Sequence, residues 1–135
     1  MKMKKGFRQL VDEAKARITS IGVEDAKRRH GREDVVFVDL RDVRELEREG
    51  MIPDAFHCPR GMLEFWIDPD SPYHKDVFGS GKEFVFYCNA AWRSALAADV
   101  AQQMGLPRVV ELEGGFTAWK NAGLPVAERA KKPAS

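Results

Sequence analysis

Cys88 and Arg93 enclose Asn89, Ala90, Ala91 and Trp92 in a C-x-x-x-x-R arrangement, and Ser94 follows directly. A thiol and a guanidinium at the two ends of one short loop suit a cysteine nucleophile held beside a fixed positive charge. The loop follows a strand-like apolar run, Phe84-Val85-Phe86-Tyr87, and precedes a helix-like run over residues 95 to 104. At such a turn the helix leaves its first N–H groups unpaired and points the positive end of its dipole at the loop, which favours thiolate over thiol. Free cysteine titrates near about 8.5, so a downward shift of one or two units would leave most of it ionised at neutral pH. A buried structural thiol is the plainer reading of a lone cysteine. The apex of a strand-to-helix turn argues for the nucleophile instead.

Other residues invite chemistry less strongly. Trp92 reads either as a core anchor or as a wall of the pocket, and Arg93 could instead pair with a nearby carboxylate. Asp39 and Arg41, at the end of another strand-like run, read as a structural ion pair supporting the site, not as catalysts. Cys58 ends a preceding strand-like segment and could meet Cys88. Spacing alone does not bring two Cα atoms within the roughly 4.4–6.8 Å a disulfide needs, so a packed thiol is expected. His57 and His74 lack ligand spacing with the two thiols, and no metal site is expected. His30 precedes Gly31 at a helix end, where it would compensate the dipole.

These residues must be positioned by an alternation of helices and strands. Phe7, Leu10, Val11, Ala14 and Ile18 recur at helical spacing among charges and predict an amphipathic helix over residues 6 to 18, which must dock on its own domain or on a partner. A short helix is expected over residues 23 to 29. Val35-Val36-Phe37-Val38 reads as a strand buried on both faces. Asp42 with Glu45 is a capping-box start, and Gly50 a stop, for the next helix. A short strand is expected over residues 55 to 58.

Residues 59 to 82 combine prolines and glycines with Phe65, Trp66, Tyr73 and Phe78, and predict a loop ordered by its aromatics, which would shape one side of the pocket. Leu96, Val100 and Met104, with Ala97 and Ala101, suggest the buried face of the helix after the cysteine loop. A strand over residues 109 to 112, the Gly114-Gly115 break, a helix over residues 116 to 122 with Trp119 inward, and a frayed tail over residues 127 to 135 complete the pattern. Alternating elements of this kind make an α/β domain of three layers, with a central, mainly parallel sheet of about five strands flanked by helices. In such sheets ligands bind beyond the carboxyl ends of the strands, where Cys88 falls.

The chain has 135 residues, 44% hydrophobic and 32% charged, with a formal net charge of +1. That is enough for one domain with a core of its own. The near-neutral balance argues against nucleic acid or an acidic membrane as the main partner. Two cysteines are too few for a disulfide framework. The basic start, Met1 to Lys5, is followed by charged residues instead of an apolar segment, so the expectation is a soluble protein of a reducing, cytoplasmic compartment.

Four ordered motifs over residues 18 to 126 resemble the rhodanese family of sulfurtransferase domains: Val36-Phe37-Val38-Asp39-Leu40-Arg41, Gly50-Met51-Ile52-Pro53-Asp54-Ala55, Cys88 to Arg93 with Ser94-Ala95, and Leu112-Glu113-Gly114-Gly115-Phe116-Thr117-Ala118-Trp119. Residues 1 to 17 would then be a helical extension. Met51, Asp54 and Ala91 stand where the family often has histidine, glycine and glycine. An alanine taking a positive φ in the loop would cost about 1 kcal/mol.

The resemblance implies a rhodanese-type, thiosulfate-using sulfurtransferase without a cofactor. Cys88 would take a sulfane sulfur from a small donor as a persulfide and pass it to a thiol or cyanide-like acceptor, with Arg93 as electrostatic partner. The backbone of Asn89, Ala90, Ala91, Trp92 and Ser94 would form an anion nest around the outer sulfur. The resemblance also leaves open a non-catalytic module that binds a partner protein. A phosphatase or arsenate reductase is less favoured, because those relatives carry one more residue between cysteine and arginine.

Overall fold

The computed structural model describes residues 1–130. Five strands, β1 (Ser20–Ile21), β2 (Val35–Asp39), β3 (Phe56–His57), β4 (Glu83–Tyr87) and β5 (Val109–Leu112), form one sheet in the order β1-β5-β4-β2-β3, and every pair is parallel. The helices are α1 (Phe7–Arg17), α2 (Val23–Arg29), α3 (Val43–Glu49), α4 (Leu63–Ile67), α5 (Trp92–Gln103) and α6 (Gly115–Asn121). Because β4 lies in the middle and runs parallel to both neighbours, its apolar run Phe84-Val85-Phe86-Tyr87 is buried on both faces. One apolar cluster gathers Phe84 and Phe86 with Val38, Cys58, Leu63 and the alanines of α5. The other gathers Val85 and Tyr87 with Phe37, Val110, Phe116 and Trp119. This is the expected three-layer α/β architecture.

Register sets the site. Asp39 pairs with Tyr87 and Phe86 with Glu111, so the ends of β2, β4 and β5 come level and bring residues 39 to 41, 88 and 111 to 113 to one edge. Asp42 accepts the Arg44 N–H while the Glu45 carboxylate accepts the Asp42 N–H, the capping box read from the sequence, and Gly50 ends α3 at φ 83°.

Several expectations need correction. Strand β1 was not anticipated: two residues are too few to carry a period, and they join the sheet only through Glu111 and Leu112. Helix α4 and two 3-10 turns organise the segment read as a loop. Its aromatics pack on the sheet, with Phe56 edge-on to Trp66 and Phe78 and with Phe78 stacked on Phe84. Phe65 and Tyr73 are exposed, and no aromatic contact among the described residues joins them or Trp66 to the cysteine loop.

Helix α5 buries Ala97 and Ala101 as expected, but the rest of its buried face is Ser94, Ala95, Ala98 and Asp99, while Leu96 and Val100 are half-buried and Met104 is exposed. The helix lies between the sheet and α1, where small side chains permit close approach. Helix α1 docks on its own domain by Val11 and Ala14 against Ala95, and Arg17 clasps Asp99 at 2.9 and 2.7 Å, while Phe7 and Leu10 remain exposed. The expected tail begins with order: Ala127 and Met51 exchange backbone hydrogen bonds at 2.8 and 2.9 Å. Residues 131 to 135 of that tail lie outside the described residues.

Candidate functional site

Cys88 leaves the carboxyl end of β4 almost fully buried, 1% exposed. The backbone then turns back on the sulfur: Ala91 adopts φ 81° and ψ 12°, a left-handed conformation, and its N–H reaches Cys88 Sγ at 3.2 Å. Helix α5 starts at the next residue. The Ala95 N–H is the first to reach a carbonyl of the turn, Ala91 O at 3.3 Å, so the N–H groups of Trp92, Arg93 and Ser94 form the open amino end of the helix beside the loop. Asp54 likewise takes a positive φ, 66°, so the turn after Pro53 keeps the backbone form a glycine would take.

The amino end of α6 clamps the loop from the other side. Phe116 N–H donates to Cys88 O at 2.7 Å and Thr117 N–H to Asn89 O at 3.2 Å. This approach needs glycine at 115, with φ 58°, because a Cβ there would fall on the carbonyl oxygens of Cys88 and Asn89. The Gly-Gly motif therefore acts on the cysteine loop through backbone contact.

Two arginine–carboxylate pairs meet at Asn89. Arg41, fully buried, grips Asp39 through Nε and Nη2, donates to Gly50 O at 2.8 Å, and lies 4.3 Å from the centre of the Phe116 ring. Its Nη1 also donates to Asn89 Oδ1 at 3.2 Å. Asn89 Nδ2 in turn donates to Glu45 Oε1 at 2.9 Å, and Arg93 holds both oxygens of the same carboxylate. Arg93 titrates above its ordinary value, first through Glu45 and then through the Cys88 sulfur. Glu45 is correspondingly held below the usual carboxylate range, chiefly by Arg93. Asp39 and Arg41 thus form the ion pair read from the sequence.

Ser94 also approaches the sulfur. Cys88 Sγ donates to Ser94 Oγ at 3.6 Å, and Ser94 Oγ donates to Glu111 Oε2 at 2.9 Å. Ala90, at the tip, is exposed. Trp92 is 47% exposed and rests on α1, its ring 4.9 Å from that of Phe7 and 5.7 Å from the Arg8 guanidinium. It is an outer wall of the loop and not a core anchor.

The remaining candidates stand apart. The Cys58 thiol lies in the apolar core and approaches Pro59 O at 3.8 Å; burial pushes its pKa up to about 12, the environment of a packed thiol. His57 Nε2 meets Arg41 O at 2.7 Å, and His74 lies 3.9 Å from Asp76. His30 is fixed by packing more than by a helix dipole: its ring meets Phe37 and Trp119 edge-on, and Nε2 meets Pro53 O at 2.9 Å.

Sequence reading missed three residues of this neighbourhood. Glu45 was already accounted for as a helix cap, which concealed its second role. Gly115 was noticed only as part of a motif. Glu111 did carry a signal, one carboxylate inside the apolar run Val109-Val110-Glu111-Leu112.

A model of the Rhodanese-like domain matches residues 22–122. A protein named sulfurtransferase from Allochromatium vinosum is 37% identical over 94 residues, 70% of this chain and 79% of the relative. A solved structure from Rhodopseudomonas palustris, described as a protein of unknown function and possible tyrosine phosphatase, is 52% identical with a TM-score of 0.91, covering 93% of this chain and 97% of that one. The polysulfide-sulfur transferase homodimer of Wolinella succinogenes is 27% identical with a TM-score of 0.69, covering 92% of this chain and 88% of that one. No helix among the described residues is long and apolar enough to cross a membrane.

Proposed function

The chain belongs to the rhodanese-like domain family, and from that premise we propose that it is a sulfurtransferase whose Cys88 carries the sulfur as a persulfide. The observation that carries the reading is the seat of the sulfur, which receives the Ala91 N–H at 3.2 Å beside the amino end of α5. Negative charge is favoured there without a metal. In the first half-reaction the Cys88 thiolate attacks the sulfane sulfur of a small anionic donor such as thiosulfate. A new S–S bond forms, the donor's S–S bond breaks, and sulfite leaves with its electron pair. In the second, a thiol or cyanide acceptor attacks the outer sulfur and the Cys88 thiolate is released.

Within this reading the backbone from Asn89 to Ser94 is the nest for the outer sulfur. Arg93, anchored by Glu45, supplies a fixed positive charge at the rim, and the Asp39–Arg41 pair holds Asn89 in place. Partners are then small sulfur donors and acceptors, with a partner protein as one form of acceptor.

The relative described as a possible tyrosine phosphatase is a reason to weigh phosphoryl chemistry. Against it, four residues separate Cys88 from Arg93, and both Nη atoms that would grip a phosphoryl group are bound to Glu45.

The test is intact mass of the reduced protein after brief thiosulfate exposure, beside Cys88→Ser and Cys58→Ser. One added sulfur, removed by cyanide and absent only in Cys88→Ser, is the expected result. No adduct with thiosulfate or polysulfide, together with Cys88-dependent hydrolysis of an aryl phosphate, would replace the reading by phosphatase chemistry. No adduct and no hydrolysis would leave a binding module.

A further inference from the structure

Glu111 is a carboxylate with no exposed surface, placed on β5 between β1 and β4 of a parallel sheet. Isolated charge is expensive in such a place, and a buried carboxyl is kept only where its oxygens find partners. Both do. Ser20 Oγ from β1 donates to Oε1 at 2.9 Å, and Ser94 Oγ from α5 donates to Oε2 at 2.9 Å. Ser94 is fully buried and its only other polar side-chain neighbour among the described residues is Cys88 Sγ, at 3.6 Å. The residue after β4, the first turn of α5 and β5 therefore supply three groups joined in series, thiol to hydroxyl to carboxylate, with each donor facing the next acceptor.

A serine hydroxyl has one proton. While it donates to an ionised Glu111, it has none for a thiolate, and the sulfur on its other side is best served as a thiol. We propose that Ser94 and Glu111 form an internal proton relay in which Glu111 takes up the proton of Cys88. The S–H proton moves to Ser94 Oγ as the Ser94 proton moves to Glu111 Oε2. The products are a Cys88 thiolate, a serine hydroxyl now donating to that thiolate, and a neutral carboxyl donating to the hydroxyl. Charge and protons balance within the three groups, and no co-reactant is needed.

The surroundings support the direction of transfer. Burial raises Glu111 above the ordinary carboxylate value, and its two hydrogen bonds and Lys15 of α1 only partly oppose this, while Glu113 just beyond β5 adds to it. The residue paired with it on β4 is Phe86, which brings no charge. On the sulfur side the charged neighbour is Arg93, held by Glu45. The line thus has a carboxyl whose hold on a proton burial strengthens at its inner end, and the fixed charge of Arg93 at its outer end. Ser20, the carboxyl's other partner, is exposed on β1.

The relay deepens the sulfurtransferase reading and assigns Glu111 as a positioning residue that acts through Ser94. Its test does not need sulfur transfer. The rate of iodoacetamide alkylation, followed by mass on the Cys88 peptide, is measured against pH in wild type, Glu111→Gln and Ser94→Ala, with folding checked by near-ultraviolet circular dichroism. A coupled pair loses its two protons in two steps, so wild type should rise in two limbs, the lower one at loss of the first proton, which leaves one proton shared between Cys88 and Glu111, and the upper one at loss of that shared proton.

Glu111→Gln keeps the shape but accepts no proton, and Ser94→Ala cuts the line. Each should lose the lower limb and rise once. A single limb in wild type, or two limbs persisting in either folded variant, overturns the relay. If the two-limbed profile is found but thiosulfate leaves no sulfur on Cys88, the relay stands and the sulfurtransferase reading falls. A sulfur adduct with a single-limbed profile means the reverse.

Discussion

Both Nη atoms of Arg93 bind the two oxygens of Glu45, at 2.8 and 3.0 Å, so the guanidinium that closes the cysteine loop is anchored to the first turn of α3. Glu45 is shared further, with the Asp42 N–H that it caps and with Asn89 of the loop. One carboxylate therefore ties a helix start, the loop and its arginine into a single piece. Arg93 alone would be a long side chain with many rotamers; fixed in this fork, it presents its charge to the sulfur from one place.

That arrangement has an acid limit. Glu45 titrates below its ordinary value of about 4.3 because of Arg93, so its stabilising effect is complete above about 4.3 and is lost as pH falls through the lowered value. Glu45→Gln should cost about 1 kcal/mol at neutral pH, and the difference from wild type should shrink as the solution is acidified below pH 4. Urea unfolding at a series of pH values checks this. A difference independent of pH would show that the charge of Glu45 contributes nothing.

Gly115 should tolerate no side chain. Gly115→Ala must relieve contact with two loop carbonyls and also occupy φ 58°, for a loss of about 2–5 kcal/mol. Thermal unfolding would register the loss. Slower alkylation of Cys88 at equal folded fraction would register displacement of the loop.

Ala91 offers a finer comparison. Its positive φ costs about 1–2 kcal/mol, yet Ala91→Gly also gives up about 0.4–1 kcal/mol of unfolded-state entropy and about 0.8 kcal/mol for a buried methyl group, so the change should be nearly neutral. Ala91→Val, branched at Cβ and buried, should lose about 2 kcal/mol or more. Chemical denaturation of the pair measures the strain; equal stabilities would refute it.

Cys58 predicts an alkaline slope. The folded thiol titrates near about 12 and an unfolded one near about 8.5, so above that lower value the unfolded chain releases a proton that the folded chain keeps. On this account stability should fall as pH rises above about 8.5, at a slope that approaches about 1.4 kcal/mol per pH unit, until the folded thiol itself ionises at about 12. Cys58→Ser, whatever its baseline stability, should show a slope shallower by that amount. Identical slopes would mean that the thiol is not held neutral by the fold.

Much of the scaffold was legible before any coordinates. The buried strand at residues 35 to 38, the capping box at Asp42 and Glu45, the glycine stop at residue 50 and the inward Trp119 each rest on local rules of period, cap or φ, which neighbouring residues in sequence suffice to state. The face of α5 was read correctly at Ala97 and Ala101 and wrongly at Leu96, Val100 and Met104, because burial there follows the nearness of α1 and the sheet, which favours alanine over leucine. Strand β1 was missed because two residues take their structure from the partner they pair with.

The alternation of elements, the place of Cys88 at a strand-to-helix turn and the spacing to Arg93 each depend on residues adjacent in the chain, and so are legible in it. Where Arg93, Asn89 and Ser94 direct their hydrogen bonds depends instead on packing between distant segments. Their partners come from α3, from the segment just after β2 and from β5, brought together by the register of a parallel sheet, as when Phe86 is set level with Glu111. Residues 44 to 48 apart in the chain become a charge network, and a serine and a glutamate 17 apart become a line behind the sulfur. Hydrogen bonds act over about 3 Å, so which of a chain's many polar groups meet is settled only when the packed sheet fixes their positions.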